Sequence, residues 1–196
     1  MFSSNYLWVS LWAILPVLMY SFLIYAWIPK RFISLKRSRR YLVAGLLSPM
    51  LIFLYHFLFP GWNVGLSSVQ FFQYAAFAFI QVGMMEEITK YITFKWVSSE
   101  RTSEKYDLPI AVMFYSMMAS VGFAIVENIT YLMNTREGIV EFFQFMGQRK
   151  NIYFNSIEMY SYINDSMMQV ALLRAVSAVV MHMIAGVIMG YFLSKA

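Results

Sequence analysis

The sequence predicts an all-α membrane protein, a polytopic bundle of about five transmembrane helices. Of its 196 residues, 60% are hydrophobic and only 13% are charged, and the apolar residues are gathered into long runs. A soluble domain of this length would carry about 25% charged residues. The length accommodates about five spans joined by short loops, so we expect a single transmembrane domain over residues 1–196.

Five apolar runs are long enough to cross a hydrocarbon core of roughly 30 Å. The first contains Pro16 but no charge, and no basic residue precedes it, in contrast to a cleaved signal peptide. The third is interrupted by charged residues, and the fourth and fifth each contain at least one. The predicted spans are about 6–28, 41–59, 69–96, 109–133 and 167–193, with an outer connection at 134–166.

Loop charges indicate the direction of insertion, because cytoplasmic loops carry an excess of Lys and Arg. Residues 30–40 hold six positive charges and no acid. With this loop in the cytoplasm, ten basic residues lie inside and three outside, which places the N-terminus outside and the C-terminus in the cytoplasm. Topology thus explains the net charge of +5, and we expect the lipid bilayer, not nucleic acid, as a partner. A lipid-headgroup site in the basic loop is the less favoured alternative.

The connection at 134–166 contains an apolar stripe broken by Glu137, Glu141 and Gln144. This pattern is typical of a short helix that lies on the outer membrane interface. We favour simple anchoring as its role, and a lid over the bundle is the alternative.

Ionisable side chains inside spans three to five are the candidates for a functional site. A charge at mid-bilayer costs on the order of 2.5–3.5 kcal/mol, so such residues face the bundle interior or a wet cavity and are usually functional. They are Glu86, Glu87, Lys90, Glu127, Arg174 and His182.

Two adjacent glutamates in span three suggest acid–base chemistry. Glu86 and Glu87 precede Lys90 by four and three residues, so the lysine can reach either carboxylate along the helix. Two neighbouring carboxylates in a low dielectric do not both ionise at low cost, and a glutamate that exchanges a proton near neutral pH can act as general acid or base. The structural alternative is an ion pair in which Lys90 extends toward the cytoplasmic side. It does not explain two glutamates about 15 Å from the helix end.

In span four, Phe123, Glu127 and Tyr131 follow one another at one-turn intervals on one face, and Asn128 adds a donor and an acceptor. The alternative role for Asn128 is interhelical hydrogen bonding that only holds helices together. Counted from Pro109, Glu127 comes about 27 Å along the span, nearer the outer face.

In span five, His182 shares a helix face with Gly186 and Gly190. These glycines form a small-xxx-small motif whose more common role is helix packing. His182 therefore points at a neighbouring helix, where the buried glutamates offer it partners. Arg174, on the same span, can neutralise one of the carboxylates.

Three motifs occur in order on these three spans. They are EExxK at residues 86–90, FxxxE with a following Asn at residues 123–128, and a block that contains Arg174, His182 and Gly190-Tyr191. Together they resemble the PrsW family of intramembrane proteases, relatives of the CAAX-processing (type II) membrane proteases, over about residues 81–191. EExxK alone would be a weak indication, whereas three blocks in order on successive spans are specific.

The resemblance implies hydrolysis of a peptide bond in a membrane-anchored protein, such as a single-span anti-sigma factor, by a multi-pass protein of the bacterial cytoplasmic membrane. It implies that the catalytic residues are Glu86, Glu87, Glu127 and His182, supported by Lys90, Phe123, Asn128 and Arg174. The CAAX-type relatives have His where this chain has Glu127, so their prenylated substrates are not implied.

The residues themselves leave the mechanism open. In one interpretation Glu86 or Glu87 activates water and then protonates the leaving amine, while His182 and Asn128 donate hydrogen bonds to the oxyanion. In the other, zinc is held by ligands drawn from Glu86, Glu87, Glu127 and His182, which is weaker because only one nitrogen ligand is available.

Two other functions fit the residues less well. A proton- or ion-coupled transporter uses buried Glu, Lys and His just as readily, although many transporters contain repeats that this chain lacks. A non-catalytic scaffold would bind a partner helix through the face of Gly186 and Gly190.

Overall fold

The computed structural model describes residues 3–29, 31–59, 82–98, 108–150 and 156–195, and within them it contains helices and no strands. Residues 69–81 of the third predicted span lie outside the described residues. The described helices are α1 Ser3–Trp27, α2 Leu35–Leu47, α3 Pro49–Leu58, α4 Met85–Ser98, α5 Pro109–Lys150, α6 Ser156–Val176 and α7 Ala178–Leu193.

Two of the described helical segments are long and apolar enough to cross a membrane. They are Pro109–Gly147 in α5 and Met159–Leu193 in α6 and α7, while Ala13–Trp27 of α1 is a shorter apolar stretch. The all-helical class is therefore confirmed. The five spans and the orientation of the termini stay predictions.

The second predicted span, 41–59, is divided into two helices at Ser48. Pro49 begins α3, and because proline has no backbone N–H it cannot continue the hydrogen-bond ladder of α2. Ser48 closes α2 by donating its backbone N–H to the Ala44 carbonyl (3.0 Å) and its hydroxyl to the Gly45 carbonyl (2.7 Å).

Helix α5 continues to Lys150, well beyond the predicted end of span four at residue 133. The apolar stripe expected to form a separate interfacial helix is therefore the last part of α5, and α6 begins at Ser156, before the predicted start at 167. No proline follows Pro109 within α5, and isolated glycines do not suffice to end a helix. Glu127 lies near the middle of the apolar segment Pro109–Gly147.

The chain forms two compact units. The first comprises Met1–Trp27 and Ala124–His182, and the second comprises Ile28–Phe123 and Met183–Ala196. In the first unit α1 packs against α6. The buried core of this unit consists of Ala13, Leu132, Ile163, Met167 and Ala171. The last three belong to α6 and lie one turn apart on a single face of that helix.

In the second unit α2 packs against α4. The ring of Tyr41 stacks with those of Phe94 (4.9 Å between centroids) and Tyr115 (5.2 Å). Its hydroxyl forms a hydrogen bond with Ser98 Oγ (2.9 Å). These contacts hold the first half of α2 beside the end of α4.

Glycines let α2 approach the first part of α5 closely. A Cβ atom on Gly45 would stand 1.9 Å from the Ala119 carbonyl oxygen, and one on Gly122 would stand 2.2 Å from the Leu42 carbonyl oxygen. Both distances are far below van der Waals contact, so the two backbones touch only because both positions lack a side chain.

The small-xxx-small motif of α7 also packs against α5. A Cβ atom on Gly186 would lie 2.6 Å from Ser120 Oγ, and one on Gly190 would lie 2.6 Å from Met113 Cα. The prediction of a helix-packing motif is confirmed. The face that a scaffold would offer to a partner helix is already covered by α5 of the same chain.

Candidate functional site

Glu127 of α5 is the centre of a polar cluster in the first unit. His182 Nε2 contacts Glu127 Oε2, and Arg174 Nη2 forms an ion pair with the same oxygen at 3.0 Å. The side chains of Glu127, Arg174 and His182 are 15%, 13% and 12% exposed, so these contacts are largely shielded from water. Two residues that the sequence predicts as site members thus converge on the carboxylate of a third.

Arg174 is fixed by two further contacts. Its Nε donates to Asn128 Oδ1 at 2.8 Å, and its guanidinium carbon lies 3.9 Å from the centroid of the Tyr131 ring. A planar guanidinium can hold all three partners at once, which the single ammonium of lysine cannot do. The sequence showed that Glu127 and Tyr131 lie one turn apart, but it did not indicate that the Tyr131 ring contacts an arginine.

Asn128 is buried, and both ends of its amide are engaged. Its Nδ2 donates to the Ala13 carbonyl oxygen at 3.3 Å while its Oδ1 accepts from Arg174. Asn128 therefore links α1, α5 and α6. This favours the alternative in which Asn128 holds helices together over its interpretation as an oxyanion donor. We call Glu127, Asn128, Arg174 and His182 the Glu127 cluster.

The helical register explains why Arg174 and His182 reach the same carboxylate. Although Ser177 separates α6 from α7, its backbone N–H donates to the Leu173 carbonyl (3.1 Å) and its carbonyl accepts from Met181 (2.9 Å). The helical hydrogen-bond pattern thus passes through the interruption. Residues eight apart then lie on one face, about two turns from each other.

Lys90 of α4 is fully buried in the second unit. Its Nζ forms an ion pair with Glu87 Oε1 (2.6 Å) and lies 4.4 Å from the centroid of the Phe123 ring. The carboxylate and the face of the ring together compensate the buried charge. The interpretation that Lys90 extends toward the cytoplasmic side is wrong, because an ammonium that did so would be exposed. We call Glu87, Lys90 and Phe123 the Lys90 cluster.

Glu86 and Glu87 stand in the first turn of α4, directly after a π-helical turn at residues 82–84. Acidic side chains in this position interact favourably with the helix dipole, and π turns frequently occur at functional sites. The Glu86 carbonyl accepts the Thr89 hydroxyl (2.9 Å), and the Glu86 side chain is partly buried. The Glu87 side chain is 43% exposed, so the rest of the protein leaves it accessible while Lys90 holds it.

Comparisons with known proteins give the family. A model for "PrsW family intramembrane metalloprotease" matches residues 37–196. Protease PrsW of Oceanobacillus iheyensis is 32% identical over 119 residues, which are 61% of this chain. The chain spans about 40% of the length of that relative. No solved structure matches. Because the family model covers most of the chain and all three motifs, this protein belongs to the PrsW family of intramembrane metalloproteases.

Proposed function

We propose that this protein is a membrane-embedded peptidase of the bacterial cytoplasmic membrane that hydrolyses a peptide bond of a single-span membrane protein such as an anti-sigma factor. The observation that carries the proposal is the convergence of Arg174 and His182 on the Glu127 carboxylate in a member of this family. Ionisable groups within an apolar segment are costly and are kept where they have a function. Five spans, with the N-terminus outside and the C-terminus in the cytoplasm, belong to the same proposal.

The proposed catalytic residues are Glu86, Glu87, Glu127 and His182. Within this set Glu87 suits the role of general base, since its carboxylate is oriented by Lys90 and is not covered by the rest of the protein. It would take a proton from the attacking water and return it to the leaving amine. Lys90 and Phe123 then act by holding Glu87 in place, as Asn128 acts by holding Arg174.

The family name implies a metal ion, and the Glu127 cluster has the donor atoms for one. A histidine nitrogen and a carboxylate oxygen are usual zinc ligands, and here they meet. Ligating carboxylates are themselves held by further polar groups, and Arg174 holds Glu127 through an ion pair. We assign Glu127 and His182 as ligands. A zinc ion in this position would polarise the scissile carbonyl and make a bound water more acidic.

The decisive experiment measures cleavage by variants in liposomes. The purified protein is reconstituted with a panel of fluorescently labelled single-span test proteins, and the variants are Glu86→Gln, Glu87→Gln, Glu127→Gln and His182→Ala. Loss of a catalytic acid–base group should lower the rate by about 10²- to 10⁴-fold. Glu137→Gln is the matched control, because Glu137 is an exposed glutamate on the same helix as Glu127. Cleavage at the full rate in all four variants would refute the assignment.

A zinc assay on the same preparations tests the ligands without reference to activity. We expect about one zinc per chain in the unmodified protein and in Glu137→Gln, and little zinc in Glu127→Gln and His182→Ala. Cleavage by a zinc-free protein that resists a chelator would contradict the metal assignment and favour the mechanism with glutamates alone. Family membership does not favour the transporter. Proton flux through the unmodified protein that disappears in Glu86→Gln, with no cleavage of any test protein, would favour it.

A further inference from the structure

A groove of about 470 Å³ lies between α2 and the end of α4 in the second unit. Two arginines line the groove together with aliphatic side chains and one tryptophan. The lining includes Arg39, Arg40, Val43, Leu47 and Trp96. Positions 39, 43 and 47 are successive turns of one face of α2, about 12 Å from first to last. The groove therefore has a cationic end and an apolar length.

A helix contact and the local composition indicate the depth of the groove in the membrane. The hydrogen bond between Tyr41 and Ser98 holds its cationic end beside the last turn of α4. The two arginines at this end are also the last residues of the segment 30–40, which contains six basic residues and no acidic residue. Excess basic residues are typical of the cytoplasmic boundary of a membrane, and tryptophan is enriched at such boundaries. In the proposed topology the arginines stand at headgroup level, with the apolar length in the hydrocarbon.

The side chains along the groove face outward from the protein. Val43, Leu47 and Trp96 are 52%, 48% and 70% exposed. An apolar groove alone would accept any acyl chain. Two adjacent guanidinium groups at its end add selectivity, because guanidinium binds phosphate through paired, charge-assisted hydrogen bonds. Basic pockets between helices on the cytoplasmic side are the usual sites for anionic lipid headgroups.

We propose that this groove binds one anionic phospholipid, whose phosphate contacts Arg39 and Arg40 and whose acyl chain lies along Val43, Leu47 and Trp96. The lipid would bridge α2 and α4, and α4 is the helix that begins with the paired glutamates. The proposal does not depend on peptidase activity, because none of the groove residues is a proposed catalytic residue and the proposal is tested by binding alone.

Native mass spectrometry of the full chain tests the charge requirement. The protein is released from micelles that contain phosphatidylglycerol or phosphatidylcholine with identical acyl chains. We expect one phosphatidylglycerol to be retained in preference to phosphatidylcholine, and Arg39→Gln/Arg40→Gln to lower that retention by about tenfold or more. The control Arg31→Gln/Lys36→Gln removes the same charge from the same basic segment but not from the groove, and it should change retention by less than about threefold. An equal loss in the two double variants would overturn the site, since attraction would then be spread over the whole segment.

A second pair of variants tests the apolar length with all charges intact. Val43→Trp fills the groove at a half-exposed position, so the fold should tolerate it, and it should release the lipid. Met50→Trp adds the same side chain at an exposed position of α3 outside the groove and should retain the lipid. Circular dichroism checks that each variant is helical. Retention of lipid by helical Val43→Trp, or equal retention of the two headgroups by the unmodified protein, would overturn the proposal.

Discussion

Replacement of Arg174 is the sharpest test of the Glu127 cluster as a structural unit. Arg174→Gln removes the ion pair to Glu127 (3.0 Å), the hydrogen bond to Asn128 (2.8 Å) and the contact with the Tyr131 ring (3.9 Å). It leaves the Glu127 carboxylate with His182 as its remaining contact from this cluster. The variant should therefore lower the free energy of unfolding.

The geometry gives the size of the loss. Removing one partner of a buried ion pair costs about 3–5 kcal/mol. Arg174 and Glu127 are 13% and 15% exposed, so some of that cost is relieved by water. His182 also continues to compensate the carboxylate. We expect a loss of about 2–3 kcal/mol for Arg174→Gln. Arg174→Lys keeps the charge but cannot reach all three partners, so it should lose about half as much.

Unfolding by sodium dodecyl sulfate in mixed micelles, followed by circular dichroism, measures these losses. Arg31→Gln is the matched control, because Arg31 is an exposed arginine outside the groove and surface substitutions usually change stability by less than about 0.5 kcal/mol. Asn128→Ala, alone and combined with Arg174→Gln, completes a double-mutant cycle whose coupling energy should be about 0.5–3 kcal/mol. An Arg174→Gln variant as stable as Arg31→Gln would refute the reasoning.

The helix contacts and the Lys90 cluster give further predictions for the same unfolding assay. Gly45→Ala places a Cβ 1.9 Å from the Ala119 carbonyl oxygen and should cost about 1–3 kcal/mol. Gly138→Ala meets nothing within 4 Å and should be neutral or stabilising by up to about 1 kcal/mol, so equal effects would contradict the packing argument. Phe123→Leu removes the ring beside Lys90, and in a double-mutant cycle with Lys90→Met it should show a coupling energy of about 0.5–2 kcal/mol. Additive losses in this cycle would exclude a cation–π contribution.

The helical class and part of the site could be predicted from the sequence. Charged groups in apolar segments must compensate one another, which is why Glu127, Arg174 and His182 were expected to face the interior. Arg174 and His182 stand eight residues apart, a spacing that returns to the same helix face. Their contact with one carboxylate follows from these two rules. Their catalytic roles stay predictions.

Helix ends and individual partners were beyond the sequence rules. Hydropathy locates apolar runs but does not show where a helix stops, so the break at Pro49 and the continuation of α5 beyond residue 133 were missed. The burial of Lys90 depends on Phe123, which lies on a different helix and is brought beside it only by folding. Spacing along the helix correctly predicted Glu87 as a partner of Lys90, but it could not predict the contact of Lys90 with the ring of Phe123.

The spacing of FxxxE has a physical reason in these contacts. Phe123 and Glu127 lie one turn apart on the unbroken helix α5, and each compensates a basic side chain from another helix, Lys90 in one case and Arg174 in the other. A ring is needed at the first position because the Lys90 ammonium is excluded from water, and a carboxylate is needed at the second because two nitrogen groups converge there. The motif therefore specifies two compensated cations. This accounts for the presence of a phenylalanine beside the glutamate in this motif.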